Sequence, residues 1–177
     1  MTHGIMVARM NRILIAIAAA LFALPAHAAY DVKELKLGAA EADVRRALPS
    51  VHCKALEWKS KAADRRCDDS RVVFGGVEVR VTLYLRKDAV EAFDIRFDTK
   101  ELERIVTFLK SRYGKPASES RDTYGGGGKD KKPGREVYKA LWEQDGERAT
   151  LAAQLEKRTA SMLVSRGAFD EDIYRVQ

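Results

Sequence analysis

Few side chains in this sequence could perform chemistry, and the closest group of them lies in one short stretch. It consists of His52, Cys53, Cys67, Asp68 and Asp69. Zinc sites place their ligands at characteristic spacings that this group does not match, and redox-active cysteine pairs need a motif such as C-x-x-C, which is absent. Since Cys53 and Cys67 are the only cysteines, we predict that they form a structural disulfide, and we predict no metal site and no cofactor.

Catalytic constellations are also incomplete. His52 is the only histidine after residue 28, so a Ser-His-Asp or Cys-His arrangement would have to use it. No G-x-S-x-G turn is present, and a disulfide removes free thiol chemistry. Paired carboxylates such as Asp68-Asp69 and the acidic run at 170–172 serve glycoside hydrolysis only at a defined separation, which a sequence does not give. We predict that the protein is not an enzyme, with a hydrolase that uses His52 as the least favoured alternative.

The segment 118–135 combines four consecutive glycines at 125–128 with Lys129. A phosphate-binding loop requires G-x-x-x-x-G-K-[ST], but Thr123 occupies the first glycine position and Asp130 follows the lysine. The segment also lacks an apolar pattern, so we predict that it is a flexible loop.

The first 28 residues have the pattern of a cleavable export signal. Arg9 and Arg12 precede an apolar run at 13–24, and Ala-His-Ala at 26–28 fits the small-x-small cleavage rule. The apolar run is short for a membrane span, and an uncleaved anchor is the alternative. No cysteine stands at the cleavage point, so we predict no lipid anchor. We therefore predict a periplasmic protein whose mature chain is not inserted in the membrane, an oxidising location that suits the disulfide.

The remaining 149 of the 177 residues suffice for one domain with a proper core. They include 30 basic and 26 acidic residues, which are well mixed along the chain. No basic stretch carries interleaved aromatic residues, so we predict no nucleic-acid partner.

The clearest structural pattern is a pair of neighbouring strands. Apolar and polar side chains alternate through 77–85 and again through 93–97, which gives each strand one apolar face. Both apolar faces lie on the same side of a sheet only if Leu83 faces Phe93, because a slip of one residue would turn a whole strand over. This register predicts that residues 87–89 form the connection.

Two helices and a second set of strands extend the pattern. We predict helices at Ala39–Leu48 and Thr99–Tyr113, where apolar side chains share one face. We predict further strands at 137–144, 147–156 and 160–166.

The order of one helix, one long connection and three strands therefore occurs twice. At an offset of 70 residues, Leu85 matches Leu155 and Lys87 matches Lys157, which supports a repeat. We predict an α+β fold of two tandem units, 29–97 with the disulfide and 98–177. Each unit is a helix plus a three-stranded antiparallel meander, and the helices pack on one side of the sheet.

Two short phrases beside the helices resemble known repeat modules. The phrases are Leu37-Gly38 followed by Val44 and Leu48-Pro49, and Tyr113-Gly114-Lys115-Pro116. The first resembles the L-G-x-[ST]-x-x-x-V-x-x-x-L-[GP] start of the SmpA/OmlA-type module, although Ala40 stands where that module usually has a capping Ser or Thr. The second resembles the helix exit of the same kind of repeat. A tandem of such modules resembles the β-lactamase-inhibitor-protein fold, which implies helices on one side of a sheet and a concave opposite side that binds a protein partner.

The side of the sheet away from the helices is the predicted binding surface. If the odd-numbered residues of the first meander face the helices, the opposite side carries Glu78, Arg80, Tyr84, Arg86, Asp94 and Arg96. In the second meander that side would carry Arg148, Gln154, Met162 and Val164, with Tyr138 and Trp142 on one face of their strand. Interfaces favour Tyr, Trp, Met and Arg. The candidate binding residues are therefore Arg80, Tyr84, Arg86, Arg96, Tyr138 and Trp142, and a core position for the last two is the alternative.

These features together predict a non-catalytic role. We expect the protein to bind another protein of the cell envelope through the helix-free side of the sheet. The alternative is a small-ligand carrier that uses the space around Trp58, between the sheet and the 50–70 segment, which we predict to be irregular.

Overall fold

A computed structural model of the chain describes residues 29–124 and 135–174. The strands are β1 (Asp31–Val32), β2 (Leu35–Lys36), β3 (His52–Ala55), β4 (Arg65–Phe74), β5 (Val77–Arg86), β6 (Ala89–Asp98), β7 (Ser118–Tyr124), β8 (Arg135–Gln144), β9 (Glu147–Gln154) and β10 (Thr159–Arg166). The helices are α1 (Glu41–Ala47), α2 (Leu102–Tyr113) and α3 (Phe169–Asp172), with a 3₁₀ turn at Thr99–Glu101. β1 and β2 form a small hairpin, and the other eight strands form one antiparallel sheet in the order β3-β4-β5-β6-β10-β9-β8-β7.

This single sheet shows that the prediction of two helix-plus-three-strand units was wrong. Strands make up 53% of the described residues and helices 19%, so the sheet dominates an α+β fold with few, short helices. β3 and β7 come from segments that we had predicted to be irregular or a flexible loop. β6 also pairs with β10 along seven residue positions, from Asp98 opposite Thr159 to Ala92 opposite Ser165. A separate meander would leave unpaired backbone groups at both of its edges, and this pairing satisfies one edge of each.

The inner face of the sheet, defined as the side covered by α1 and α2, carries the main core. Val44 from α1 and Leu109 from α2 are fully buried in the same cluster as Leu83 of β5. Apolar side chains from β6, β8, β9 and β10 complete this cluster; they include Phe93, Ile95, Tyr138, Trp142, Leu151, Met162 and Val164. The alternation of apolar and polar residues along each strand therefore buries one face, as period-two patterns require.

The predicted register of β5 and β6 is confirmed, because Leu83 lies opposite Phe93. The connection is shorter than predicted. It consists of Lys87 and Asp88 alone, both with positive φ, and a bulge in the pairing of the two strands absorbs the extra residue.

The start of α1 shows how the fold compensates for a missing cap. Ala40 precedes the helix and has no side chain that could cap it, and the helix is shorter than predicted at both ends. The backbone N–H of Glu41 instead donates to Asp88 Oδ1 at 3.2 Å, from the turn between β5 and β6. Before α2, Asp98 caps the 3₁₀ turn by accepting from the N–H of Lys100 at 3.1 Å.

The predicted disulfide is confirmed. Cys53 of β3 and Cys67 of β4 are bonded and lie directly opposite each other in the sheet. Such a bond is compatible with an extracytoplasmic location. None of the helices in the described ranges has the length and apolar character that a membrane crossing needs.

Candidate functional site

The outer face of the sheet, defined as the side opposite α1 and α2, collects the polar members of each strand. From β4 to β10 these include Arg66, Asp68, Arg80, Thr82, Tyr84, Asp94, Arg96 and Ser165. They lie there because the residues between them are the apolar ones that pack on the inner face. The alternation in the sequence predicts that Arg80, Tyr84 and Arg96 lie on this side of the sheet, away from the helices.

The C-terminal segment covers one end of the outer face. The ring of Phe169 in α3 lies 5.5 Å from the ring of Tyr84, and Trp58 Nε1–H donates to the carbonyl of Ile173 at 2.9 Å. Trp58 also stacks on Tyr174 with ring centroids 6.0 Å apart. Trp58 is therefore packed against the C-terminal segment of the same chain.

The part of the outer face that α3 leaves open contains a concave cavity of about 710 Å³. Its lining residues are Ser50, His52, Arg66, Asp68, Asp69, Ser70, Arg71, Arg80, Val81, Thr82, Tyr84 and Arg96. A second cavity of about 310 Å³ continues it towards β10 and shares Ser70, Arg80 and Arg96 with the first. We call the two cavities together the arginine trench.

Two arginines occupy paired positions at the centre of the trench. Arg80 of β5 lies directly opposite Arg96 of β6 in the register of the two strands. Like charges in directly opposed positions destabilise a sheet. The Nε of Arg96 donates to Asp94 Oδ2 at 2.7 Å, whereas Arg80 is exposed and has no ion-pair partner among the described residues. The sheet therefore carries a positive charge here that the described part of the chain does not neutralise.

Asp94 is buried, and burial disfavours the charged form of its carboxylate. It is only 8% exposed, and this burial raises its pKa although the neighbouring Arg96 guanidinium acts in the opposite direction. Arg96 thus stabilises the buried charge of Asp94 through its Nε, and it also lines the trench as an exposed residue.

The two aspartates that line the main cavity are already engaged. Thr82 Oγ1–H donates to Asp68 Oδ1 at 2.8 Å, and Ser50 Oγ–H donates to Asp69 Oδ2 at 2.8 Å. Arg66 Nε lies 3.1 Å from Asp68 Oδ2, but the groups are not aligned for a hydrogen bond, and this buried Nε has no other hydrogen-bond partner in the described part of the chain. The main cavity therefore offers guanidinium donors more freely than it offers acceptors, whereas the second cavity carries two carboxylates, Glu78 and Asp98, beside Arg158.

The structure separates the six candidate binding residues into four groups, of which the core pair Tyr138 and Trp142 is described below. Arg80 and Arg96 meet in the trench. Tyr84 borders it but is 8% exposed beneath Phe169. Arg86 is exposed at the opposite end of β5, in a different cavity beside α3. The predicted cluster is thus only partly brought together.

Tyr138 and Trp142 belong to the core, which removes them from the candidate surface. They are 5% and 2% exposed and lie on the inner face. Trp142 Nε1–H donates to the carbonyl of Gly114 at 2.9 Å, and the hydroxyl of Tyr138 donates to Glu119 Oε1 at 2.7 Å. Burial first, and then the bond to Glu119, raise the pKa of Tyr138 well above its ordinary value.

Two further side chains expected on the binding side are also in the core. Met162 and Val164 of β10 are 1% and 0% exposed and belong to the inner-face cluster. These two side chains face inwards because Met162 lies opposite Ile95 and Val164 lies opposite Phe93, which both face the core.

His52 and the cysteines form no recognisable reactive centre in the described residues. His52 is exposed at the rim of the trench, opposite Asp68 in the sheet. A carboxylate oxygen of Glu41 and the sulfur atoms of Cys53 and Cys67 all lie within 4.8 Å of one another, but the two sulfurs are bonded to each other. No thiolate is available to a metal there while the disulfide is intact.

Three further arginines line the trench that were not among the predicted binding residues, Arg66, Arg71 and Arg158. Arg66 falls in the segment predicted to be irregular, but it belongs to β4, which begins at Arg65. The alternation of Arg66, Asp68 and Ser70 around the half-cystine Cys67 was the signal that could have extended this strand.

No protein-family model, curated protein or solved structure matches this chain.

Proposed function

We propose that this chain is a periplasmic protein that binds another protein of the cell envelope through the outer face of its sheet, without a catalytic step. The observation that carries the proposal is Arg80, which is exposed, lies opposite Arg96 on a face that α1 and α2 do not cover, and has no ion-pair partner within 29–124 and 135–174. A charge placed at a destabilising position needs a compensating gain, and a partner with the opposite charge supplies one. The N-terminal pattern and the disulfide support the location.

The resemblance to the β-lactamase-inhibitor-protein fold supports the same face. In that fold a protein partner binds on the concave side away from the helices, and here the trench lies on the side away from α1 and α2. The core positions of Tyr138 and Trp142 remove β8 from the proposed contact, which then consists of β4, β5 and β6.

Site-specific photocrosslinking in the periplasm tests the proposal. A photoreactive residue replaces Ser70, which is exposed and borders both cavities, or Arg104, which is exposed on α2. We expect a discrete protein adduct from position 70 and none from position 104. Adding R80E should abolish the adduct, whereas R86E, a matched change on the same strand outside the trench, should leave it.

Adducts that form equally at both positions, or that survive R80E, would contradict the proposal. So would the absence of any adduct at position 70 when the variant is folded, exported and present at the normal level.

A small-anion carrier is the second candidate, and one observation favours it. The main cavity of about 710 Å³ is as large as the sites that hold small ligands. Isothermal titration with citrate and with inorganic phosphate tests this function. Binding that R80Q abolishes and R86Q preserves would support it.

A further inference from the structure

The arginine trench is long rather than round. It extends from Ser50 and His52 beside β3 to Arg158 and Thr159 beside β10, so it crosses β3, β4, β5, β6 and β10. Five strands with four intervals of about 4.8 Å span about 19 Å. An extended peptide advances about 3.3 Å per residue, so about six residues fill this length.

Five arginines and four carboxylates are distributed along this length, and the carboxylates are Asp68, Asp69, Glu78 and Asp98. Arg66 lies towards β3, Arg80 and Arg96 lie at the centre, and Arg158 lies at the β10 end. Arg71 and Arg158 are exposed and, like Arg80, have no ion-pair partner among the described residues. A row of guanidinium groups matches a row of carboxylates, because each guanidinium can donate two parallel hydrogen bonds to one carboxylate.

The shape distinguishes between classes of anionic partner. A lipid headgroup surface is flat and meets basic residues that protrude, whereas these arginines line a concavity. Single-stranded nucleic acid requires exposed aromatic rings for base stacking, and the lining residues Tyr84 and Phe97 are buried, at 8% and 4% exposure. An acidic peptide needs neither feature.

We infer that the trench binds an extended acidic segment of about six residues in the partner protein, with Arg80 and Arg96 holding one carboxylate between them. This inference rests on the proposed function, since it specifies the chemistry of the partner at the same face. The carboxylate would balance the charge of Arg80, since Arg96 is already paired with Asp94, and would reduce the cross-strand repulsion.

Fluorescence anisotropy with labelled hexaglutamate and, as the neutral control, hexaglutamine tests the inference on the purified protein. We expect hexaglutamate to bind and hexaglutamine not to bind, with an affinity that falls as sodium chloride rises. R80Q and R96Q should each weaken binding about tenfold or more, because each removes charge-assisted hydrogen bonds. R86Q removes the same charge from the same strand outside the trench and should change the affinity less than twofold.

Three results would overturn the inference: no binding of hexaglutamate, equal binding of both peptides, or an equal effect of R80Q and R86Q. Binding of inorganic phosphate at the trench without hexaglutamate binding would also overturn it and would favour the small-anion carrier. Urea unfolding of each variant verifies that the exposed substitutions leave the fold intact.

The two proposals fail separately. If hexaglutamate does not bind while the adduct at position 70 still requires Arg80, the protein-binding function stands and the acidic segment is wrong. If hexaglutamate binds through Arg80 while no adduct forms at position 70, the trench recognises acidic chains but the envelope partner is not supported.

Discussion

Asp94 and Arg96 show that one residue pair can serve both the fold and the proposed surface. Burial raises the pKa of Asp94, so its neutral form is favoured in the folded protein relative to the unfolded chain. The stabilising effect of this raised pKa is fully present below the unfolded pKa of about 3.9 and is lost as the pH rises through the higher folded pKa. Asp94 therefore makes folding less favourable at neutral pH than at acid pH.

We predict that D94N, which resembles the neutral form, gains stability relative to the wild type as the pH rises from 3 to 7. Urea unfolding at pH 3, 5 and 7 measures the difference in unfolding free energy between the two proteins. The same series on D122N, an exposed aspartate on β7, is the control. A difference for D94N that grows towards pH 3 would show that the carboxylate is stabilised by Arg96 more than it is penalised by burial.

Trp142 illustrates a residue whose type suggests an interface and whose position serves the core. We predict that W142F lowers the unfolding free energy by about 2 kcal/mol, because it leaves the carbonyl of Gly114 without its donor and removes buried apolar surface. W58F removes a similar bond to Ile173 at a half-buried position and should cost less. Urea titrations of both variants give the comparison. Equal losses would mean that burial of Trp142 adds nothing to its hydrogen bond.

The turn between β4 and β5 packs closely against α2, where Gly75 lies next to Phe108. Gly75 and Gly76 both have positive φ, but a Cβ on Gly75 would lie 2.8 Å from Phe108 Cγ of α2, whereas a Cβ on Gly76 would meet nothing. We predict that G76A costs about 1–2 kcal/mol of backbone strain and that G75A costs more, because Phe108 must also move. Unfolding free energies from urea titration measure both. A G75A loss no larger than that of G76A would show that Phe108 shifts freely.

The disulfide acts on the whole molecule, because it restricts the unfolded chain and fixes the edge strand β3 to β4. It joins residues 14 positions apart. We predict that C53A/C67A lowers the unfolding free energy by about 3 kcal/mol, the value expected for a closed loop of about 15 residues. Wild-type protein unfolded in excess reductant should show the same loss. Equal urea midpoints for the oxidised and reduced wild type would contradict the prediction.

The register of β5 and β6, the position of α2 and the disulfide could be predicted from local patterns in the sequence. Alternation of side chains established the register of β5 and β6, since any slip would expose Leu83 and Phe93. The apolar stripe and Gly114 located α2, and the presence of only two cysteines indicated the disulfide. These properties follow from periodicity and local backbone chemistry, which are visible in a single chain.

Which strands become neighbours, and which side of the sheet some residues face, depended on pairing between segments far apart in the chain. β8 has apolar residues on both faces, so its pattern did not show which side Tyr138 and Trp142 would take; pairing with the alanines of β9 turned them inwards. β7 has no apolar pattern and is a strand because β8 supplies its hydrogen-bond partners. The opposition of Arg80 and Arg96 followed from the predicted register. Their union with Arg66 and Arg158 in one trench required strands far apart in sequence to become neighbours, because side-chain period says nothing about which edges meet.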